Sequence, residues 1–435
     1  MNTFTFEQQA KFFEKKLNLK TDSYLDVLGE EHDYFFMVAG ANRNEVLLAF
    51  REAVDAAIEN GETLEQFRSR FDEIVAQTGW DYNGGRNWRS RIIYDTNVYG
   101  SYNRGRLMQH LELAEAMPYW EYQHNECLHP RPEHEDWDGL VLRYDDPWWR
   151  YHYPIKAYGC HCTVVAHDED DLQTYGKRLQ TAPPVEMETK IVGTRSGNPR
   201  KVTKAKGTDV GFKPWDFGKI KSGRVETIDQ ILFNKMVAAS QKTDISNQFL
   251  SRLTSNVLDN PNALNLLNQS MASMVEQVVG NKVSKGVTKT VGAIPVQVLD
   301  KLDSLKKTPQ TPFIAVRDED ILHALRDSKQ AKEINLPVEF WQNLPEKLRK
   351  PKAILLQPNT SKNGKAEKDS LLFIYDTDKG KVAIIMDYDV KLKDPKTGKK
   401  VNAQVNMVRT ASVINGELDW LNLKNSFELL WGSLD

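Results

Sequence analysis

The sequence has three cysteines among 435 residues, no long apolar run and a net charge of only -2. Three cysteines are too few for a disulfide framework, and their confinement to residues 127–162 predicts one local cluster in a reducing compartment. No stretch approaches the roughly 18 consecutive apolar residues that a membrane-spanning helix needs. The first residues also lack the order of a secretory signal, so we expect neither a membrane partner nor that route of secretion.

The charge balance also restricts the classes of partner. The 58 basic and 60 acidic residues argue against nucleic-acid binding through bulk positive charge and leave only local basic patches for such contacts. The apolar fraction of 40% is that of an ordinary globular chain, and the length predicts roughly three domains. Eight of nine histidines precede residue 168, so the front of the chain is chemically distinct from the rest.

Hydrophobic periodicity predicts a multidomain α+β protein. Helical spacing predicts helices over 44–60, from Thr63 and through 86–109, followed by a histidine-, tryptophan- and cysteine-rich loop region over 118–167. The predicted order is a mainly helical domain, a linker, a helical segment, a second linker and a small α+β domain with an antiparallel sheet. These parts cover residues 1–167, 168–225, 226–285, 286–307 and 308–435.

The rear of the chain combines helical and strand patterns. Two short helices are predicted around 319–326 and 338–348. Four strand-like runs follow, and TDKG between the second and third is a hairpin signal. The runs are KAILLQ, SLLFIYD, KVAIIMDYDV and QVNMVRTASVI. Apolar spacing from Leu418 to Trp431 predicts a final amphipathic helix.

Four spaced motifs in the front of the chain carry a family resemblance. They are GW at residues 79–80, YDTNVYGSYNRGR, PYWEYQHNECLHPRPEHEDWDG and DDPWWRYHYPIKAYGCHC. In this order they resemble the minor head protein (F-like) family of Mu-type bacteriophages, and the downstream GTDVGFKPWDFG is similar to that family's next segment. His161 stands where the family usually has an arginine, within its closing Cys-Arg-Cys.

The resemblance implies a virion component that acts in head morphogenesis. It implies a minor capsid protein present in few copies near the portal, built in during assembly in the host cytoplasm and located inside the capsid. Portal and capsid proteins are then the expected partners. The basic run within residues 190–206 becomes a candidate contact with packaged DNA, although a solvated linker is the simpler account.

The cysteines and nearby histidines form a candidate zinc site. Cys160 and Cys162 offer two thiolates from one turn, and Cys127 with His134 or His129 would complete four ligands; the favoured set is Cys127, His134, Cys160 and Cys162. Structural zinc suits a loop-rich stretch that has little core of its own. However, the Cys-x-Cys spacing matches no standard zinc finger. The alternative is that the cysteines pack as small apolar residues while the histidines satisfy polar neighbours.

A carboxylate site is a further candidate in the same region. The run EHEDWDG and the pair Asp145–Asp146 supply the groups that acid–base catalysis uses. Asp-Asp-Pro is also typical of a turn, because Asp side chains accept hydrogen bonds from the backbone that follows. We interpret the pair as a turn.

Short motifs in the rear of the chain carry a second resemblance. They are ILHALRDSKQ, LPVEFWQNLPEKLRKPKAILL, LLFIYD, KVAIIMDY and NMVRTASVI. They resemble nuclease-like domains attached to phage head proteins, of the barnase/EndoU/colicin/RelE-type superfamily. The resemblance implies an α+β fold with a four-stranded antiparallel sheet, and RNA as the substrate of a metal-independent ribonuclease.

Metal-free RNA cleavage needs a base, an acid and cations around the phosphate. His323 is the candidate acid/base, since it is the one histidine in this half of the sequence. Arg409 is the candidate phosphate clamp, and Lys352 is a weaker second cation. The candidates for hydrogen bonds to the phosphate or a base are Asn406, Thr410 and Ser412.

Each of these residues has a structural alternative. A lone histidine on a helix is commonly a surface residue or a satisfied core residue, and Thr410 and Ser412 are ordinary strand residues. Strand alternation places Asn406, Thr410 and Ser412 on one face and Arg409 on the other. Either the strand is bulged at Arg409, or Arg409 forms a buried structural pair.

Two functional hypotheses follow. The first is a structural head protein with a cargo domain that is delivered with the genome. The second is a toxin ribonuclease that uses the front unit only for packaging and delivery. Growth arrest and RNA damage caused by the rear domain would favour the second.

Overall fold

The computed structural model divides the chain into two compact units, residues 1–225 and 226–435. It describes residues 6–27, 29–194, 199–221, 227–241, 245–326, 335–358, 368–376, 380–393, 398–414, 423 and 425–434. No helix within these ranges has the length and apolar character needed to cross a membrane.

The first unit combines helices with short strands. Its helices are α1 (Glu7–Glu14), α2 (Asn44–Asn60), α3 (Leu64–Thr78), α4 (Arg86–Glu112), α5 (Pro132–Asp136), α6 (Trp148–His152), α7 (Glu169–Thr174) and α8 (Phe217–Lys221). Its strands are β1 (Leu17–Asn18), β2 (Phe35–Phe36), β3 (Tyr119–Gln123), β4 (Val141–Arg143), β5 (Thr163–His167), β6 (Met187–Val192) and β7 (Arg200–Ala205).

Local chemistry fixes the ends of α2 and α3. Gly61 ends α2 in the left-handed conformation, with φ 65°, which an L side chain rarely adopts. Thr63 and Gln66 then form a capping box at the start of α3. The apolar faces of α2, with Phe50, and of α3, with Phe71, share one core with residues of α4. The helices predicted in this region are confirmed.

The histidine- and tryptophan-rich region contains a three-stranded antiparallel sheet in the order β4-β3-β5, where the sequence predicted loops. Trp120 of β3 is fully buried and packs against Trp149, which packs against Trp148. Cys160 and Cys162 belong to the same core. The strands form because alternate residues reach this core, a pattern too short to separate from a loop by sequence alone.

The range predicted as the first linker, 168–225, contains α7, the β6–β7 hairpin and α8. Its apolar side chains pack on the tryptophan core of the first unit. They are Ala182, Val185, Phe212, Trp215, Phe217 and Ile220. This segment covers a core that the preceding strands leave exposed. Its apolar residues are placed by that core and not by one long helix or strand, which explains why the sequence shows no hydrophobic periodicity here.

The second unit has more residues in β-strands than the first unit. Its helices are α9 (Ile228–Ser240), α10 (Asn247–Leu258), α11 (Pro261–Asn281), α12 (Val296–Ser304), α13 (Asp318–Ala324), α14 (Val338–Gln342) and α15 (Leu344–Lys347). Its strands are β8 (Thr288–Ala293), β9 (Phe313–Arg317), β10 (Ala353–Gln357), β11 (Ser370–Tyr375), β12 (Gly380–Lys393), β13 (Lys400–Val413) and β14 (Glu428–Gly432).

One seven-stranded sheet organises this unit, in the order β14-β10-β11-β12-β13-β9-β8. β9 and β13 pair in parallel, and the other neighbours are antiparallel. The four strands expected from the sequence are β10 to β13, and the structure adds three more. Tyr375 pairs with Gly380 as a hairpin requires, while the predicted turn residues 377–379 lie outside the described residues.

Two ranges of the second unit differ from the sequence prediction. Residues 286–307 are not a linker, because they contain β8 and α12, whose apolar side chains enter the main core. The predicted final helix is wrong at its end, where Glu428–Gly432 form β14 beside β10. That pairing gives hydrogen-bond partners to backbone groups of β10, which would have none in the sheet if β10 were its edge strand. Residues 415–422 and 424 lie outside the described residues.

Candidate functional site

A cluster of two cysteines and one histidine lies beside the sheet of the first unit. β3 pairs with β5, and Gln123 lies opposite Thr163 in this pairing. The chain that follows β3 therefore runs beside the turn that precedes β5. Cys160 and Cys162 lie in that turn, and His134 lies in α5. Strand pairing therefore joins two segments that are about 30 residues apart in the sequence.

The ligand atoms of the cluster face one another. His134 Nδ1 lies 3.6 Å from Cys160 Sγ and 3.5 Å from Cys162 Sγ. All three side chains are buried, and their ligand atoms lie within 4.8 Å of one another. A tetrahedral zinc ion with usual bond lengths separates a nitrogen from a sulfur ligand by about 3.6 Å. The observed distances fit that geometry.

The outer side of the His134 ring is fixed by the backbone. His134 Nε2 lies 2.7 Å from the carbonyl oxygen of Gly207. A carbonyl oxygen only accepts, so Nε2 carries the proton and Nδ1 presents its lone pair to the two sulfurs. Histidines that ligate metals usually donate their other ring N–H in this way.

The two thiols share one negative charge. Hydrogen bonds from Cys160 and Tyr122 lower the pKa of the Cys162 thiol well below its usual value. The same pairing, together with burial, raises the pKa of Cys160 well above its usual value. A second thiolate at this buried position requires a nearby cation, which a metal ion supplies.

The structure separates the predicted fourth ligand from the cluster. Cys127 is partly buried and is not among the ligand atoms that lie within 4.8 Å of one another. His124 Nδ1 lies 3.4 Å from Cys162 Sγ instead. Sequence reasoning passed over His124, although its place three residues before Cys127 was the available signal. His129 is exposed, and like Cys127 it lies outside the cluster.

His161, between the two cysteines, points to a different part of the molecule. Its ring stacks on Tyr99 with centroids 4.1 Å apart, and its Nε2 lies 3.2 Å from Asp95 Oδ2. The Asp95 carboxylate raises the pKa of His161, although burial acts against that shift. His161 therefore pairs with a buried carboxylate.

Asp145 and Asp146 occupy a turn. Asp146 Oδ1 accepts a hydrogen bond from the Trp148 backbone N–H at 2.9 Å, which fixes the start of α6. Asp145 pairs with Arg143 on the surface. Both carboxylates thus have local partners, as the turn interpretation predicts.

Three lysines of the basic run in the β6–β7 hairpin pair with two nearby glutamates. Lys190 and Lys204 both pair with Glu188, and Lys206 pairs with Glu186 at 3.1 Å. Arg195 lies outside the described residues. Pairing across the hairpin reduces the positive charge that would attract DNA.

In the second unit, the side chain of Asn406 forms hydrogen bonds to the backbone of other segments. It is fully buried, and its Nδ2 donates to the carbonyl oxygens of Thr311 and Phe313 at 2.7 and 3.0 Å. Its Oδ1 accepts from the backbone N–H of Asp387 at 3.4 Å. A side chain without exposed surface cannot contact RNA in the folded chain, so Asn406 has a structural role.

Both alternatives left open for Arg409 are present. Ala383 pairs with Thr410 and Ile384 pairs with Val408, so Arg409 is the extra residue of a β-bulge. Arg409 Nη1 also lies 2.5 Å from Asp320 Oδ1, and its guanidinium lies 5.0 Å from the Tyr388 ring.

The bulge at Arg409 changes which residues share a face. Val405 and Met407 pack in one core, whereas Val408 and Ala411 pack in another. Thr410 and Ser412 therefore lie on the face opposite Asn406, contrary to the simple alternation that predicted one shared face.

The remaining candidate residues are dispersed. His323 is exposed on α13, three residues after Asp320. Lys352 lies 3.1 Å from Asp376, beside the start of β10. β11 and β12 separate β10 from β13, so Lys352 is about 14 Å from the Arg409 strand. Arg409 pairs with the buried Asp320, and His323 is on the same helix as Asp320, whereas Lys352 lies elsewhere.

Comparisons with known proteins find similar phage and prophage proteins. Residues 49–165 match the family described as "Phage Mu protein F like protein". The chain is similar to the "Mu-like prophage FluMu F protein" of Haemophilus influenzae, with 24% identity over 351 residues, which is 77% of this chain and 83% of that protein. It is also similar to the "Putative capsid assembly protein F" of Escherichia phage Mu, with 33% identity over 174 residues.

The match to the phage Mu protein is partial, since it covers 37% of this chain and 39% of that protein. No solved structure matches the chain. These findings support the resemblance inferred from the spaced motifs of the first unit. All three residues of the His-Cys-Cys cluster lie within the matched residues 49–165.

Proposed function

We propose that this chain is a minor structural protein of a Mu-like bacteriophage head, which acts in head assembly near the portal, and that zinc holds its first unit together. One observation carries the proposal: the buried His-Cys-Cys cluster lies inside the region that matches the phage Mu F family. The printed name of the phage Mu relative refers to capsid assembly. The chain would reside in the virion.

The zinc ion would be a structural one. His134, Cys160 and Cys162 would hold it, and His124 is the better-placed fourth ligand because its Nδ1 already lies 3.4 Å from Cys162 Sγ. Structural zinc sites are closed by four protein ligands. The ion would tie the chain after β3 to the turn before β5, and it would supply the positive charge that stabilises both thiolates.

Metal analysis of the purified full chain tests the zinc. We expect about one zinc ion per chain and its loss in Cys160→Ser, Cys162→Ser and, more weakly, His124→Ala. Cys127→Ser is the matched control, since it removes a nearby cysteine outside the cluster. Wild-type protein without zinc, or a Cys160→Ser variant that keeps it, would disprove the zinc centre.

Analysis of phage particles tests the assembly role separately. We expect the chain to co-purify with heads, and deletion of residues 1–225 to reduce the yield of infectious particles. Deletion within the second unit should leave particle formation intact. Purified heads that lack the chain would contradict the head-protein proposal whatever the metal analysis shows.

A ribonuclease activity of the second unit is the second candidate. The supporting observation is that Arg317 and Arg409 both lie near the Tyr388 ring, at 5.3 and 5.0 Å, and share one carboxylate, Asp320. Arg317 also pairs with Glu319, so Arg409, whose side chain is 33% exposed, is the guanidinium that remains accessible to a phosphate. His323 lies one helical turn from Asp320 and is exposed, as an acid/base requires.

Incubation of the full chain with total bacterial RNA and a chelator tests this activity. We expect cleavage that His323→Ala and Arg409→Ala abolish and that Lys350→Ala, in an exposed pair with Glu346, leaves unchanged. Melting curves must accompany Arg409→Ala, because it also breaks the pair with Asp320. RNA left intact by the wild-type chain would remove the ribonuclease while leaving the head-protein proposal in place.

A further inference from the structure

The first unit contains a cavity of about 1010 Å³ that the proposed function does not use. Helix α4 forms one wall, and further walls come from residues 12–39, 128–131, 155–159 and 209–215. None of the three clustered metal-ligand residues lines it. A volume of this size matches that of sites for small molecules and cofactors.

The lining carries an excess of positive charge. Nine of the lining residues are Lys or Arg, and three are Asp. Each aspartate already faces a basic partner: Asp33 with Arg104, Asp95 with His161 and Asp209 with Arg131. Four of the basic residues have carboxylate partners as well: Arg131 with Asp209, Arg68 with Glu65, and Lys190 and Lys204 with Glu188. The charge that favours an anion therefore comes mainly from Arg89 and Arg91.

Two arginines of α4 supply the charge most directly. Arg91 is partly exposed and makes no hydrogen bond or ion pair to any residue in the described ranges. Arg89 donates to the backbone carbonyl oxygen of Ala39 and has no carboxylate partner among the same residues. A guanidinium presents a planar set of donors that fits two oxygens of a phosphate.

Exposed aromatic side chains lie at the same cavity. Trp88 is 54% exposed and Tyr24 is 42% exposed, and both line the cavity. Tyr24 contacts Tyr158 edge to face, with ring centroids 6.2 Å apart. An exposed indole beside arginines is the arrangement on which nucleic-acid bases stack, and any base has a face that suits it.

Two further lining residues are shielded from water. Burial lowers the pKa of Lys16 to about 8 and that of His32 to about 4. Both residues line the cavity, and Lys16 Nζ donates to the carbonyl oxygen of His32 at 2.6 Å. Charges interact more strongly where water is excluded, so an anion gains more from the Lys16 ammonium than it would from a lysine at an open surface.

We propose that this cavity binds a nucleoside phosphate, with the phosphate against Arg91 and Arg89 and the base against Trp88. The ligand comes either as a free nucleotide or as the exposed end of a nucleic-acid strand, because both present the same chemistry. The proposal depends on neither the zinc ion nor the head-assembly role.

Calorimetric titration of the purified full chain tests the proposal with named probes: dATP, deoxyadenosine, inorganic phosphate and an oligothymidylate of about 12 nucleotides. We expect dATP to bind about tenfold more tightly than deoxyadenosine or phosphate alone, since it combines stacking with charge. Arg91→Ala should weaken dATP binding about tenfold. Trp88→Ala should weaken it, and Trp88→Phe should restore it in part.

Arg106→Ala is the matched control, because Arg106 belongs to the same helix and does not line the cavity. Tighter, salt-sensitive binding of the oligonucleotide that dATP displaces would identify a strand as the source, and binding of dATP alone would identify the free nucleotide. The proposal is overturned if neither probe binds, if Arg91→Ala and Trp88→Ala leave binding unchanged, or if a glutamate-rich peptide competes as well as dATP.

Discussion

His134 is oriented by Gly207, whose carbonyl oxygen lies 2.7 Å from its Nε2 and 73 residues further along the sequence. Gly207 has φ +75°, and a Cβ added there would lie 2.6 Å from the Trp137 ring. The residue after the β6–β7 hairpin thereby decides which nitrogen of His134 faces the cysteines. A backbone position outside the family-matched region completes the candidate metal centre.

The first prediction is that Gly207→Ala weakens metal binding. The new methyl group must displace Trp137 or the Gly207 backbone, and either shift moves the carbonyl that orients His134. Loss of such an outer partner typically costs about 10- to 100-fold in metal affinity. Competition with a chromophoric zinc chelator measures the change.

Gly139→Ala is the control for this substitution. Gly139 has the same φ of +75°, but an added Cβ there meets nothing within 4 Å. Both variants bear the left-handed strain of about 1–2 kcal/mol, whereas the crowding is specific to Gly207. Equal zinc affinities in the two variants would show that Gly207 does not orient His134.

The second prediction is that Asn406→Leu destabilises the second unit without a direct effect on chemistry. Leucine has a similar size, but it leaves the buried carbonyl oxygens of Thr311 and Phe313 without their donor. We expect the free energy of unfolding to fall by about 1–3 kcal/mol. Urea unfolding followed by circular dichroism measures this loss.

Thr410→Val provides the comparison on the same strand. Thr410 is half-buried, so we expect a change within about 0.5 kcal/mol. An Asn406→Leu protein with unchanged stability and lost RNA cleavage would return Asn406 to the catalytic set.

The third prediction concerns the boundary of the second unit. A fragment of residues 308–435 lacks α11, β8 and α12, which contribute buried residues to the main core. They are Met271, Met274, Val275, Val278, Val291, Val298, Leu299 and Leu302. We expect this fragment to show no cooperative unfolding transition, whereas residues 226–435 should unfold in one step.

Thermal melts of both fragments under the same conditions make this comparison. β9 would also lose its antiparallel partner β8 in the shorter fragment, which exposes a sheet edge to aggregation. Equal melting temperatures would mean that the helices and β8 are not required for the fold.

The fourth prediction is a loss of stability in mild acid. Burial lowers the pKa of His110 to about 3, from about 6.5 in an unfolded chain. Between these values the unfolded chain binds the proton and the folded chain does not, so acid favours unfolding. The contribution of His110 is complete above pH 6.5 and decreases by about 1.4 kcal/mol per pH unit below it.

His110→Gln should remove this part of the pH dependence. Chemical unfolding at pH 7 and pH 5 measures the slope, and His129→Gln, at an exposed position, serves as the control. The difference between the pH slopes of the two variants cancels the contribution of any bound metal. The same slope in both variants would contradict a neutral, buried His110.

Local patterns were sufficient wherever neighbours along the chain decide the structure. The capping box of Thr63 and Gln66 and the left-handed Gly61 mark helix ends that the structure confirms. The Cys-x-Cys pair and His134 were recognisable by residue type. β8 and α12 were missed because the lysines and glycines scattered around them hide their apolar spacing. β14 was predicted as a helix because its apolar residues satisfy both periods over a short run.

Arg409 shows how little a single strand reveals about its own register. Its two interpretations, a bulge and a buried pair, could not be separated from the sequence, and the folded chain contains both. The bulge depends on the pairing of β13 with β12, and the pair depends on Asp320 of α13. The sequence separation between Arg409 and β12, or between Arg409 and Asp320, does not identify either of them as a partner.

The sequence by itself determined the helical bundle, four of the seven strands of the second unit and the kind of residues available for a metal, because these depend on spacing within a few residues. Tertiary structure alone decided that Gly207 orients His134, that His124 lies beside Cys162 and that arginines of α4 line a cavity. Such relationships join distant segments through strand pairing and burial, and those long-range contacts have no fixed sequence separation.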